Sequence, residues 1–149
     1  MGVDHEIVPC DPALADTAAF CEAYGYSPND SANTIIVVGK GEVPRPVACV
    51  VLASSRLDVN GVVRRRLGVR KASFASADET MQLTGMEIGG VTAFALPDDL
   101  PIWIDAAVMA RQRIILGGGS RSIKVLTPPS TLALLNNATV VDDLARPRE

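Results

Sequence analysis

The chain reads as a single α+β domain, a central mixed sheet with several short helices. Three observations lead there. The runs Thr34-Ile35-Ile36-Val37-Val38 and 47–53 (VACVVLA) are almost continuously apolar, as strands buried on both faces are. Capped, amphipathic stretches lie between the strands without a clean β-α-β-α alternation, which favours a mixed sheet. A length of 149 residues suits one hydrophobic core, and two would each be cramped. No repeat, linker or low-complexity segment divides the chain, so residues 1–149 form one domain on this reading.

Residues 6–10 (EIVPC) suit a short strand. Asp16 is placed to cap a helix to about Tyr24, with Ala18, Ala19, Phe20 and Ala23 as its apolar surface and Gly25 as its stop. Ser27-Pro28-Asn29-Asp30 is a turn. The strand 34–38 and the strand 47–53 flank a hairpin-like loop over 39–46. Asp58 caps a helix bearing Val62, Val63 and Leu67; Gly61 weakens its first turn and Gly68 ends it. Ser76 caps a short helix to about Leu83, and 84–97 forms a glycine-containing loop. Residues 101–105, 113–116 and 123–126 read as strands around Gly117-Gly118-Gly119. Thr127-Pro128-Pro129 opens a helix to about Leu135, with Thr127 as its cap. Residues 139–141 suit an edge strand, and 146–149 a frayed tail.

Composition narrows the function classes. With 48% hydrophobic and 21% charged residues the chain is neither disordered nor collagen-like. No apolar run approaches the roughly 18 residues of a membrane span. The N-terminus has no basic flank or apolar signal core. Three cysteines cannot all pair within one chain, and no C-x-x-C spacing suggests zinc or a redox pair. A reduced, cytoplasmic setting without membrane or metal is therefore expected. A net charge of −3, a pI near 5.1 and 4% aromatics argue against a broad nucleic-acid surface. One segment runs the other way: Arg56 to Lys71 holds six basic side chains against Asp58, a local +5. It is either a phosphate-contacting face or a solvated helix. Helical spacing puts Arg64, Arg65 and Arg66 on different faces, so all three cannot meet one ligand.

Two glycine loops suit backbone chemistry. Gly89-Gly90, within Thr84-Gly85-x-x-x-Gly89-Gly90, can aim successive N–H groups at a carbonyl or a developing oxyanion, or simply make a turn. Gly117-Gly118-Gly119-Ser120-Arg121-Ser122 suits a phosphate or ribose contact, or a flexible hairpin tip. Neither has the spacing of a dinucleotide fingerprint or a P-loop. A side-chain nucleophile is poorly supported. His5 and Cys10, five positions apart on a strand, point to opposite faces. Cys21 and Cys49 lie in apolar patterns, where a free cysteine is a small buried hydrophobe. The pairs Asp98-Asp99 and Asp142-Asp143 read as solvated loops.

In order and spacing these stretches resemble the YbaK/prolyl-tRNA synthetase-associated domain, a family of aminoacyl-tRNA editing deacylases. The stretches concerned are Asn33-Thr34-Ile35-Ile36-Val37, Arg56-Leu57-Asp58-Val59-Asn60, Thr84-Gly85 to Gly89-Gly90-Val91 and Ile104-Asp105. Gly117-Gly118-Gly119 and Thr127-Pro128-Pro129-Ser130-Thr131-Leu132 complete the set, which spans about Glu6 to Leu144. The resemblance implies a YbaK-like editing fold that acts in trans on the ester between a small mischarged amino acid and tRNA. It also implies no cofactor and no protein nucleophile, with water attacking the acyl carbon while the Gly89 and Gly90 amides hold the carbonyl. Asn33 completes the candidate catalytic set. Thr84, Thr92, Gly117, Gly118, Gly119, Ser120 and Lys124 are the candidate substrate-binding residues. Arg56, Arg64, Arg65 and Arg70 are the candidate contacts to the tRNA acceptor end. No motif specifies the amino acid, the tRNA or the oligomeric state.

The departures from the family pattern are informative. Most members carry a lysine where this chain has Asn33, which offers only neutral hydrogen bonds. Lys124 stands where some members place an aspartate, and Ala93 and Ala95 where many have Pro and Gly. The family's N-terminal helix has no counterpart before the first strand. Two expectations follow. Either Lys124 supplies a cation from another wall of the pocket, or the domain binds tRNA or a small ligand without hydrolysis.

Overall fold

The computed structural model describes residues 5–15, 17–86, 91–94, 96–120, 122–135 and 137–147. Its strands are β1 (Glu6–Pro9), β2 (Ala32–Lys40), β3 (Arg45–Leu52), β4 (Ser55–Leu57), β5 (Lys71–Phe74), β6 (Ile102–Asp105), β7 (Ile114–Gly117), β8 (Ile123–Thr127), β9 (Ala138–Val141) and β10 (Ala145–Pro147). Its α-helices are α1 (Thr17–Tyr24), α2 (Arg64–Leu67), α3 (Ala77–Thr84) and α4 (Ala106–Met109).

The strand β3 organises the whole. Ala48, Val50 and Leu52 face one apolar cluster with Ile36, Ile102, Ile104, Val108, Ile114 and Leu132. Val47, Cys49 and Val51 face another with Val37, Val59, Val63, Leu67 and Leu144. Burial on both faces is why its sequence reads as an unbroken apolar run. Around it lies a five-stranded mixed sheet, ordered β5-β2-β3-β6-β9. The pairs β5/β2 and β2/β3 are antiparallel, while β3/β6 and β6/β9 are parallel. A second antiparallel sheet, β1-β8-β7, and a two-stranded ribbon, β10-β4, complete the fold. The α+β expectation is borne out, and β9 is the expected edge strand.

Several expectations need correction. β2 extends at both ends, while β3 starts two residues earlier than read and stops at Leu52, leaving only 41–44 between them. Strands β4 and β5 and helix α4 were not expected; each is three or four residues long and pairs or packs with distant chain. The supposed frayed tail is β10, with Ala145, Arg146 and Pro147 opposite Leu57, Arg56 and Ser55. Thr127 ends β8 instead of capping a helix; Pro128 is the cap, and Pro129–Leu134 is a 3₁₀ helix. Of the apolar side chains assigned to α1, Phe20 is buried while Ala23 is exposed. Asp16 lies outside the described residues.

Capping chemistry works as expected at two sites. Ser76 and Glu79 form a reciprocal capping box at the start of α3, and the hydrogen bond from the Ser76 amide holds the Glu79 carboxyl below its usual pKa. The Asp58 side chain accepts from the Gly61 and Val62 amides at 3.0 and 3.4 Å. The turn it caps, Val59–Val63, is a wide π turn that tightens into α2. A Cβ on Gly61 would fall within 3 Å of both Asp58 carboxylate oxygens, so glycine is required there for close approach.

Asp105 ties the C-terminal segment to the central sheet. Only 3% exposed, it ends β6 with its carboxyl group against the backbone amides of Ala145 and Leu144. Burial raises its pKa from 3.8, and hydrogen bonds from those amides oppose the rise only in part. Because the folded pKa lies above the unfolded one, its contribution to stability is fully present below 3.8 and is lost as pH rises through the folded value. Urea unfolding across this range should therefore show wild type losing stability relative to Asp105→Asn as pH increases. A constant difference would exclude the linkage. Asp105→Ala, which orphans the Ala145 and Leu144 amides, should cost about 1–3 kcal/mol.

Candidate functional site

The site begins with a break in the edge of β2. β5 pairs with β2 only over Val37–Lys40. One further bond runs from the Ala75 amide to the Ile36 carbonyl at 2.9 Å. At the other end Ser31 meets β7 through a single parallel bridge to Ile115. The Ile36 carbonyl faces the β5 side, so by strand alternation the Thr34 peptide groups face the same edge. No described strand pairs with them there.

A cavity of about 310 Å³ fills this gap. Residues 31–36 form one wall, Ile115, Leu116 and Gly117 of β7 another, and Phe20, Phe74, Ala75, Thr80, Val91 and Lys124 close it. Its size is at the lower end of small-ligand sites. Asn33, Gly117 and Lys124, far apart in sequence, thus share one cavity. Gly89 and Gly90 lie outside the described residues, and Val91, which follows them, is part of the lining.

Lys124 is the cavity's buried cation, at 6% exposure. Its Nζ donates to the Ala15 carbonyl at 2.7 Å and sits 5.2 Å from the centre of the Phe20 ring. Phe20 is itself stacked against Tyr24 and Tyr26, at centroid distances of 4.7 and 5.4 Å. These contacts fix the ammonium as an oriented point charge.

The other candidates lie elsewhere. The Thr84 hydroxyl donates to the Thr80 carbonyl at 2.7 Å and accepts from the Met86 amide, finishing α3. Thr92 is buried, its hydroxyl 3.4 Å from the Phe94 amide. Gly118 packs so tightly on Ile123 that a Cβ would stand 2.6 Å from its side chain, and Gly119 has φ +97°. Ser120 accepts from the Ser122 amide at 3.2 Å, closing the hairpin tip. None of these five lines the cavity. Gly119 does place the tip beside Met86 and Thr92.

The arginines separate as helical spacing requires. Arg64 donates to the Asn60 carbonyl at 2.8 Å, and Arg66 lies 5.2 Å over the Trp103 ring. Arg56 and Arg65 border a second, open groove of about 940 Å³; Arg70 is exposed and borders neither.

Sequence reasoning missed Thr34. Its Oγ1 is buried with no hydrogen-bond partner among the described residues. A hydroxyl between Asn33 and two isoleucines on a buried strand was the available signal. The cysteines offer no competing nucleophile: all three are buried, and burial pushes the Cys49 thiol up to about 12. No group of three or more His, Cys, Asp or Glu side chains converges among the described residues. No described helix is long and apolar enough to cross a membrane.

With this geometry in place, the wider comparisons are direct. Residues 11–133 match the aminoacyl-tRNA editing domain, and the chain belongs to that family. It is 25% identical over 143 residues to the uncharacterised protein YwhH of Bacillus subtilis, covering 96% of this chain and 88% of that protein. The crystal structure of the hypothetical protein APE2540 superposes with a TM-score of 0.83 at 25% identity, covering 95% of this chain and 91% of that one. A protein proposed as a trans-editing enzyme for prolyl tRNA synthetase superposes with a TM-score of 0.80 at 23% identity, covering 97% and 87%.

The orphaned Thr34 hydroxyl yields a direct test. Thr34→Val keeps the shape and removes a polar atom that is desolvated without a partner. Stability should hold or rise by about 1 kcal/mol in urea unfolding. A loss of that size would show instead that the hydroxyl is bonded in the free protein.

Proposed function

We propose that this domain hydrolyses, in trans, the ester between a small mischarged amino acid and the 3′ end of a tRNA. The observation that carries this reading is the convergence of Asn33, Gly117 and Lys124 on one small cavity beside Val91, in a chain of the editing-domain family. In the proposed reaction, water adds to the acyl carbon and the carbonyl oxygen takes up negative charge. The Gly89 and Gly90 amides are the proposed donors to that oxyanion. The tetrahedral intermediate collapses with cleavage of the acyl–oxygen bond. The free amino acid leaves, and the ribose oxygen departs with a proton as the tRNA hydroxyl.

Asn33 then orients the substrate through neutral hydrogen bonds. Lys124, from β8 across the cavity, provides the cation that the family lysine provides from β2. Thr84, Thr92, Gly118, Gly119 and Ser120 act indirectly, by shaping the loops around the site. Arg56 and Arg65, which border the open groove, meet the acceptor end. A cytoplasmic setting accords with this substrate.

A second reading is favoured by one observation. The Lys124 ammonium is already engaged by the Ala15 carbonyl and the Phe20 ring, and Asn33 cannot replace its charge. The fold would then bind charged tRNA or a small ligand without hydrolysing it.

Incubation with a panel of mischarged tRNAs at enzyme excess separates the two. Amino acid release supports the first reading; salt-sensitive binding without release supports the second. Lys124→Met retains the apolar stem and removes the charge. It should lower kcat/KM by about 10²-fold if the ammonium assists the transition state. Unchanged deacylation would show that Lys124 only anchors the N-terminal segment.

A further inference from the structure

The open groove has features that the deacylase reading does not by itself require. It is bordered by Arg56 on β4, Arg65 on α2 and Arg146 on β10, with Asp58 as its acidic side chain. Asp58 is largely occupied by the amides of Gly61 and Val62, and its contact to Arg146 is 3.7 Å. The groove is therefore positive in a chain of net charge −3.

Arg56 and Arg146 are direct cross-strand partners. Both are exposed, and the Arg146 side chain retains 77% of its accessible surface. Like charges directly opposite each other destabilise a ribbon. An anion bridging them would remove that repulsion and gain two charge-assisted contacts.

Phe74 adds the second element. It is 58% exposed, although aromatics make up only 4% of the chain. As the last residue of β5 it lines the groove and the cavity alike. An exposed aromatic face beside arginines suits an unpaired base, whereas a base in a duplex has both faces covered.

We infer that this groove binds the single-stranded 3′ end of an RNA, phosphates on Arg56, Arg65 and Arg146 and a base stacked on Phe74, leading the terminal ribose into the cavity. The inference rests on the deacylase reading for what enters the cavity, but not for binding in the groove. It adds Arg146 and Phe74 to the RNA contacts and excludes Arg64, whose guanidinium is turned back onto Asn60.

The test uses the full chain and a fluorescein-labelled single-stranded RNA heptamer ending in CCA, followed by anisotropy over a salt series. Three phosphate contacts predict a log–log salt slope of about −2, and Arg56→Ala or Arg146→Ala should each reduce it by about 0.7. Phe74→Ala should weaken binding about tenfold with the slope unchanged, and Phe74→Trp should restore affinity. Arg146→Ala should also lower kcat/KM on aminoacyl-tRNA while sparing aminoacyl-adenosine, which has no upstream phosphate. Affinity unaltered by all three alanine substitutions, or equal affinity for a blunt duplex, overturns the groove assignment. Absence of hydrolysis alongside the predicted binding pattern would refute the deacylase reading and leave the groove standing.

Discussion

The interrupted edge of β2 is the constraint on which the rest of the molecule depends. A strand edge with unpaired amides and carbonyls is normally a liability that a fold covers or blunts. Here β5 covers one end and a single bridge to β7 closes the other. The gap between them becomes a cavity because three different elements supply its remaining walls: Phe20 from α1, Thr80 from α3 and Lys124 from β8. Extending β5 by three residues, to bring Ala77 opposite Thr34, would pair the Thr34 peptide groups and fill the site. Where β5 stops thus fixes both the cavity and the position of Phe74 at its mouth.

The C-terminal ribbon follows from a different compromise. Leu144 and Ala145 are buried against the second face of the sheet, and the Asp105 carboxylate gathers their amides. That anchoring brings Arg146 into register with Arg56, a pairing that electrostatics alone would oppose. A local arrangement that disagrees with local energetics, held in place by burial elsewhere, is characteristic of a binding surface. The buried anchor at Leu144 and Ala145 therefore sets Arg146 and Pro147 along one side of the basic groove.

The legible and illegible parts of the sequence divide by range of interaction. β2 and β3 carry enough consecutive β-branched and apolar residues to be read directly, and Ser76 with Glu79 signals α3 through a local capping box. β4, β5 and β10 have three or four residues each and no periodicity. Their strand character comes from partners far away in the chain. Missing β10 meant missing Arg146, and missing β5 meant missing the placement of Phe74. The sharing of one cavity by Asn33 and Lys124 was legible only as a paired departure from a family pattern. The residues themselves, 91 positions apart, hold no local signal of it.

The positions of the charges bear on how such a site would work. A lysine on the broken edge of β2 would be a flexible cation near the cavity mouth, whereas Lys124 is buried and fixed by the Ala15 carbonyl and the Phe20 ring. Its desolvation is settled when the chain folds, so no solvent need reorganise around it as charge develops on a substrate. In low-dielectric surroundings a fixed charge also reaches further than an exposed one. The arginines are the reverse: exposed, screened by salt, and suited to attracting a polyanion without holding any one geometry. Weak, mobile positive charge outside and one rigid positive charge inside make capture and alignment separable, so an overall acidic chain can accommodate an RNA end without a broadly basic surface.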